Sequence, residues 1–164
     1  MFLEAAVEED LAALVALERQ SFSQPWSVGS FRAELRDPAR GRIVVLREPA
    51  AGPERERGLL AFCAFQVVLD ELHILDLAVR PERRRQGLGG TLLRRVLELG
   101  ARRGARVALL EVRSGNLAAV ELYRSASFEP AGTRRGYYSN PPEDALLLRR
   151  EGLDTLLASA PNHP

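Results

Sequence analysis

Apolar and polar positions along this chain follow two periods, and each change of period marks an element. Residues 8–22 carry Leu11, Leu14, Val15, Leu17 and Phe22 on one helical stripe, with acidic residues in the first turn where the helix dipole favours them. Gln24-Pro25-Trp26-Ser27 breaks that stripe. Ser27 is placed to cap a second helix over 28–36, which stops before Asp37-Pro38. Residues 87–103 form a strong amphipathic helix, and 116–125 a short one with Asn116 near its cap.

Strand-like runs fill the intervals. Residues 2–6, 42–48, 58–68 and 71–79 read as strands, the last two joined at Asp70 in a tight antiparallel hairpin. Residues 49–57 read as a charged turn. Residues 105–112 are almost unbroken apolar, which predicts a strand buried on both faces. Residues 128–135 and 145–149 read as strands joined by a loop bearing Gly, Pro and Tyr. Antiparallel strands come first and a strand–helix–strand crossover follows, so the fold class is mixed α/β with a largely antiparallel central sheet flanked by helices. No repeat or linker divides the chain. One domain is expected over 1–150, followed by a short helix and a frayed tail over 151–164.

Composition narrows the function by exclusion. Of 164 residues, 46% are hydrophobic and 27% charged, as in soluble globular proteins, and the net charge of +1 gives no bulk case for nucleic acid or membrane. All 23 basic residues are arginine. One cysteine, Cys63, excludes an internal disulfide and fits a reducing, cytoplasmic setting. Two histidines and one cysteine do not compose a metal cluster, so no metal is expected. No apolar run is long enough to span a bilayer, and the acidic amino terminus lacks a signal-peptide pattern.

Positive charge is local, and densest in V-R-P-E-R-R-R-Q-G-L-G-G-T-L-L over 79–93. Strand, Arg- and Gly-rich turn and helix start together make an anion site: glycines admit close backbone approach, and the first helical N–H groups point outward. A dinucleotide fingerprint needs a third glycine that is missing here, and a P-loop needs a lysine the chain lacks. What remains is Arg84-x-x-Gly87-x-Gly89.

That pattern, with Leu77-Ala78-Val79 upstream, resembles the cofactor motif of the GNAT N-acetyltransferases. Gln24–Ser27, Gln66–Glu71, the run from Leu110 to Tyr123 and Arg134–Tyr138 narrow the likeness to the bacterial ribosomal-protein-alanine type, RimI. The resemblance implies acetyl-CoA as co-substrate. It implies that Leu77, Ala78 and Val79 present main-chain groups to the pantetheine arm. Arg84, Arg85, Gln86, Gly87, Leu88, Gly89 and Gly90 would then hold the pyrophosphate, with Asn116 adding a hydrogen bond to the arm. It also implies Glu111 as base for the acceptor amine, directly or through water, and Tyr123 as proton donor to the leaving thiolate. Trp26, Tyr137 and Tyr138 would line a peptide groove. The partner implied is a protein N-terminus, the alanine of a small-subunit ribosomal protein, attacked directly in a ternary complex.

Each assignment has a plainer counterpart. Glu111 alone reads as half of an ion pair with Arg113 or another arginine, and Tyr123 as a core aromatic. A carboxylate on a strand buried on both faces would have its proton affinity raised by desolvation, which suits a base. His73 is read as structural, and Cys63 as a small buried residue rather than a nucleophile. An acetyltransferase for a lysine or small amine, and a non-catalytic acetyl-CoA-binding module, are the rival functions.

Overall fold

The computed structural model describes residues 1–37, 42–49 and 58–158. The turn expected at 49–57 lies, past Pro49, outside the described residues, as does the tail from 159 onward. In chain order the elements are β1 (Phe2–Ala5), α1 (Leu11–Ser21), α2 (Val28–Arg36), β2 (Arg42–Arg47), β3 (Leu59–Val68), β4 (Glu71–Val79), α3 (Leu88–Arg102), β5 (Val107–Arg113), α4 (Leu117–Ser125), β6 (Glu129–Ser139), β7 (Pro142–Arg150) and α5 (Thr155–Ala158). The strands join one sheet in the order β1-β2-β3-β4-β5-β7-β6. The β4–β5 pair is parallel, while β1–β2, β2–β3, β5–β7 and β6–β7 are antiparallel. The class is mixed α/β, as the order of patterns implied, and the β4–α3–β5 crossover accounts for the parallel pair.

Contacts divide the chain into two compact units, Met1–Gln66 with Leu75–Leu92, and Val67–Ile74 with Leu93–Pro164. In the first, Leu14, Leu17, Phe31, Val45, Phe62 and Ala78 belong to one buried cluster. Phe31 sets its ring edge-on to Phe62 at 5.5 Å and meets the half-buried Trp26 at 5.4 Å. Each fully buried side chain of this size contributes about 1.5–3 kcal/mol. The caps are local and follow from residue type. Ser27 Oγ accepts the Ser30 N–H at 3.0 Å, which starts α2 where the Pro-Trp-Ser break predicts.

In the second unit α3 approaches β4 closely at Gly100. A methyl added there would stand 2.7 Å from Leu72 Cδ2, and Leu72 is fully buried. Gly100→Ala is therefore expected to destabilise the fold by about 1–3 kcal/mol, despite alanine's better helix propensity. Urea unfolding checks this, and a gain in stability would show that the helix can back away.

Two expectations change here. Along β5 burial alternates: Ala108, Leu110 and Val112 are buried, whereas Val107, Leu109, Glu111 and Arg113 are only half-buried. The apolar run reported composition, and the strand still presents a partly open face that carries Glu111. The loop expected between 136 and 145 is mostly strand. The β6–β7 ladder continues to Ser139↔Pro142, and its register shifts between Arg134 and Tyr138. Gly136, at φ 60°, sits in that irregularity, and its N–H donates to Asp144 Oδ1 at 2.8 Å. Glycine there marks a bulge within a strand.

Candidate functional site

The Arg- and Gly-rich turn lies wholly in the first unit. Gly87 has φ 78°, a conformation that favours glycine, and its carbonyl accepts the Thr91 N–H at 3.0 Å, which opens α3. The N–H groups of Leu88, Gly89 and Gly90 fall in the first turn, where a helix offers no acceptor of its own. Arg84, Arg85, Gln86 and Gly87 are exposed beside them. Arg84 also braces the turn: Nε donates to Val79 O at 3.0 Å and a second nitrogen to Ser21 Oγ at 3.2 Å. Arg85 holds φ 60°, unusual for a side-chain-bearing residue, so the turn is strained in its backbone at an exposed arginine. Arg83 is spent elsewhere, on Glu48 at 2.6 Å.

Just upstream, the β4–β5 ladder runs from Glu71↔Val107 to Ile74↔Leu110 and, among the described residues, no further. Beyond Ile74 the backbone of Leu75, Asp76, Leu77, Ala78 and Val79 is no longer taken up by β5. A strand edge released from its partner, ending in a turn of outward N–H groups and cations, suits a ligand with an amide-bearing arm and a pyrophosphate.

In the second unit a polar cluster surrounds Glu111. Arg134 Nε approaches its Oε1 at 3.1 Å, and the Glu111 side chain is 29% exposed. Tyr137 hydroxyl hydrogen-bonds to Glu111, and that bond first, with the carboxylate's charge, raises the tyrosine's pKa. Tyr137 and Tyr138 meet edge-to-face at 5.1 Å, with the Arg113 guanidinium 4.1 Å above the Tyr138 ring. Arg113 is not the partner of Glu111. It reaches the Pro141 carbonyl at 3.2 Å and Glu143 at 3.6 Å. Glu143 also accepts the Gly115 N–H at 2.6 Å, which ties the hairpin end to the start of α4. Glu111 therefore stands on the partly open face of β5 with an arginine beside it.

Asn116 caps α4, its Oδ1 accepting the Ala119 N–H at 3.2 Å. Tyr123, further along that helix, is buried, with its ring edge-on to Phe128 at 5.7 Å. Thus Glu111, Tyr123, Asn116, Tyr137 and Tyr138 belong to the second unit, while Trp26 and residues 77–90 belong to the first. His73 pairs with Glu71 at 2.9 Å, and Cys63 is fully buried, as read from sequence.

The sequence profile described as the Acetyltransferase (GNAT) family matches residues 11–128. The chain belongs to that family. As a GNAT acetyltransferase it is an N-acetyltransferase using acetyl-CoA. It is 35% identical over 141 residues to the [ribosomal protein bS18]-alanine N-acetyltransferase of Escherichia coli strain K12, covering 85% of this chain and 89% of that one. It is 31% identical over 156 residues to the N-alpha-acetyltransferase RimI of Mycobacterium tuberculosis, covering 92% of each. The crystal structure of the ribosomal-protein-S18-alanine N-acetyltransferase from Escherichia coli superposes with a TM-score of 0.79 at 33% identity, covering 92% of each chain. Among the described residues no helix is long and apolar enough to cross a membrane.

Sequence reasoning missed two features of this acetyltransferase. One is the Arg134–Glu111 pair, which spans β7. The other is a buried carboxyl pair, Glu18 and Asp76, in the first unit. Its only sequence signal is an acid, Glu18, in a helix stripe, and another, Asp76, inside an apolar strand.

Proposed function

We propose that this GNAT enzyme acetylates the α-amine of a protein N-terminus, and that its acceptor is the N-terminal alanine of a small-subunit ribosomal protein of the bS18 kind. The observation that carries the reading is the 35% identity, spread over 85% of the chain, to an enzyme named for that substrate. The exposed Tyr137 and half-buried Tyr138 beside Glu111 support a peptide acceptor. In this reading Trp26, Tyr137 and Tyr138 line the acceptor's path. Glu111 removes the amine proton, directly or through water, and Tyr123 returns a proton to the CoA thiolate. Leu77, Ala78 and Val79 meet the pantetheine amides through their backbone. Arg84 to Gly90 hold the pyrophosphate, and Asn116 touches the arm from its cap position.

The acceptor fits the modest base. An α-amine has a pKa of about 8 and a lysine about 10.4, so freeing the lysine lone pair costs about 3.3 kcal/mol more at neutral pH. The test is mass spectrometry after incubation with acetyl-CoA and a peptide that begins with alanine and holds one internal lysine. One acetyl group on the α-amine is expected, at a rate about 100-fold above that on the lysine of the blocked peptide. Acetylation confined to the lysine would remove the reading.

The turn is tested separately. Arg84→Ala combined with Arg85→Gly, which removes both charges and relieves the φ of position 85, is expected to weaken CoA binding about 10-fold or more by calorimetry. Binding equal to wild type would sink the assignment of this turn.

A further inference from the structure

Glu18 and Asp76 are two carboxyl groups in a place hostile to ions. Glu18 lies in the later turns of α1 and is 1% exposed. Asp76 lies on β4 beside Leu77, and although the residue is half-buried, its Oδ2 is shut off from solvent. Glu18 Oε1 accepts the Trp26 N–H at 2.8 Å. Asp76 accepts from the Leu77 backbone. The remaining oxygens, Glu18 Oε2 and Asp76 Oδ2, are buried with no hydrogen-bond donor, and the two side chains lie within hydrogen-bonding reach of each other. An ionised carboxylate can only accept, so two buried facing acceptors repel. One proton placed on the pair removes a charge and turns the repulsion into a hydrogen bond.

We propose that Glu18 and Asp76 share one proton and so form a positioning pair, fastening the Trp26 segment to the strand that carries Leu77, Ala78 and Val79. The path of hydrogen bonds is continuous: Trp26 N–H to Glu18, the shared proton to Asp76, Asp76 to the Leu77 backbone. All of it lies within the first unit. The inference rests on the reading above, in which Trp26 faces the acceptor and Leu77–Val79 face the co-substrate. Removing the proton would put two like charges where the segment and the strand are joined.

The neighbours do not replace that proton. The titratable group acting on Asp76 is Glu18 from α1, and Asp76 in turn acts on the Cys63 thiol of β3. Burial first, and Asp76 second, hold that thiol far above its usual range, so it stays neutral. Arg84 ends on Ser21 Oγ, further along α1. Burial first, and Glu18 second, push Asp76 up to about 9, and burial raises Glu18 as well. The proton is therefore held through neutral pH and leaves on the alkaline side of an acceptor amine that itself titrates at about 8.

The wild-type kcat/KM for the acceptor peptide is expected to rise as the amine deprotonates and to fall again above about 9. Asp76→Asn places an N–H donor where the proton lay and has nothing to titrate. It should return an acceptor KM within about threefold of wild type near neutral pH and lose the alkaline fall. Asp76→Ala leaves Glu18 Oε2 with no donor. It should raise the acceptor KM about tenfold or more while moving the acetyl-CoA KM less than about threefold. If Asp76→Ala fails to fold, the comparison of wild type with Asp76→Asn still decides. Carboxyl carbon NMR of labelled protein reads the pair without turnover, and is expected to show one proton held at neutral pH and released towards about 9. Both groups ionised at neutral pH would overturn the shared proton. An alkaline fall unchanged in Asp76→Asn would overturn the positioning role. A wild type that titrates as described yet acetylates no peptide N-terminus would unseat the acceptor reading while supporting the shared proton.

Discussion

Glu111→Gln is expected to lower kcat by about 100-fold or more, with acetyl-CoA affinity close to wild type. The substitution is nearly isosteric. Its amide oxygen can still accept from Arg134, which stands 3.1 Å from Glu111 in the wild type, and the Tyr137 contact can be kept. What is lost is the ability to take a proton. The loss should therefore fall on turnover, and should shrink as pH rises and more of the acceptor arrives already deprotonated. Rapid-mixing turnover with an alanine-terminated peptide, beside calorimetric acetyl-CoA binding, separates the two effects. Unchanged turnover would remove Glu111 as the base. A parallel loss of acetyl-CoA affinity would make it a structural anchor for Arg134.

The second large effect concerns stability and pH. In the folded chain Asp76 is pushed up to about 9, against an ordinary value of 3.8. Between those values the folded state keeps a proton that the unfolded state has released. Stability from this source is therefore fully present below about 3.8 and is lost as pH climbs towards about 9. The slope is at most about 1.4 kcal/mol per pH unit for one proton. Asp76→Asn carries no proton to lose, so its unfolding free energy should fall less steeply over that window and should exceed that of wild type at the alkaline end. Urea unfolding of both proteins at several pH values reads the difference of slopes. Parallel curves would show that Asp76 is ionised in the folded state.

Legibility from sequence followed the range of each interaction. Ser27 and Asn116 were readable as caps because a cap bonds a few residues away. The bend at Gly87 and the helix after it were readable for the same reason. Glu111 was placed on its strand, yet its partner was not, because Arg134 arrives only once β7 lies between β5 and β6. Arg113, two residues along the same strand, looked like the natural partner, but Asn140, Pro141 and Glu143 draw it away. The loop expected around Tyr137 failed on punctuation. Gly136 and Pro141 signal turns to a local reading, whereas here one forms a bulge and the other a hairpin end. Glu18 and Asp76 each look unremarkable alone, and only the packing of α1 onto β4 makes them a pair.

The sheet order has a consequence for the enzyme's own synthesis. The last strand, β7, is the one that pairs with β5, and β6 joins the sheet only through β7. A growing chain that ends before β7 holds Glu111 on an unpaired edge, and Arg134, Tyr137 and Tyr138 have no template to align on. The polar cluster around Glu111 can assemble only after β7 has been made, so a chain interrupted before β7 carries the Arg- and Gly-rich turn without an ordered cluster around Glu111.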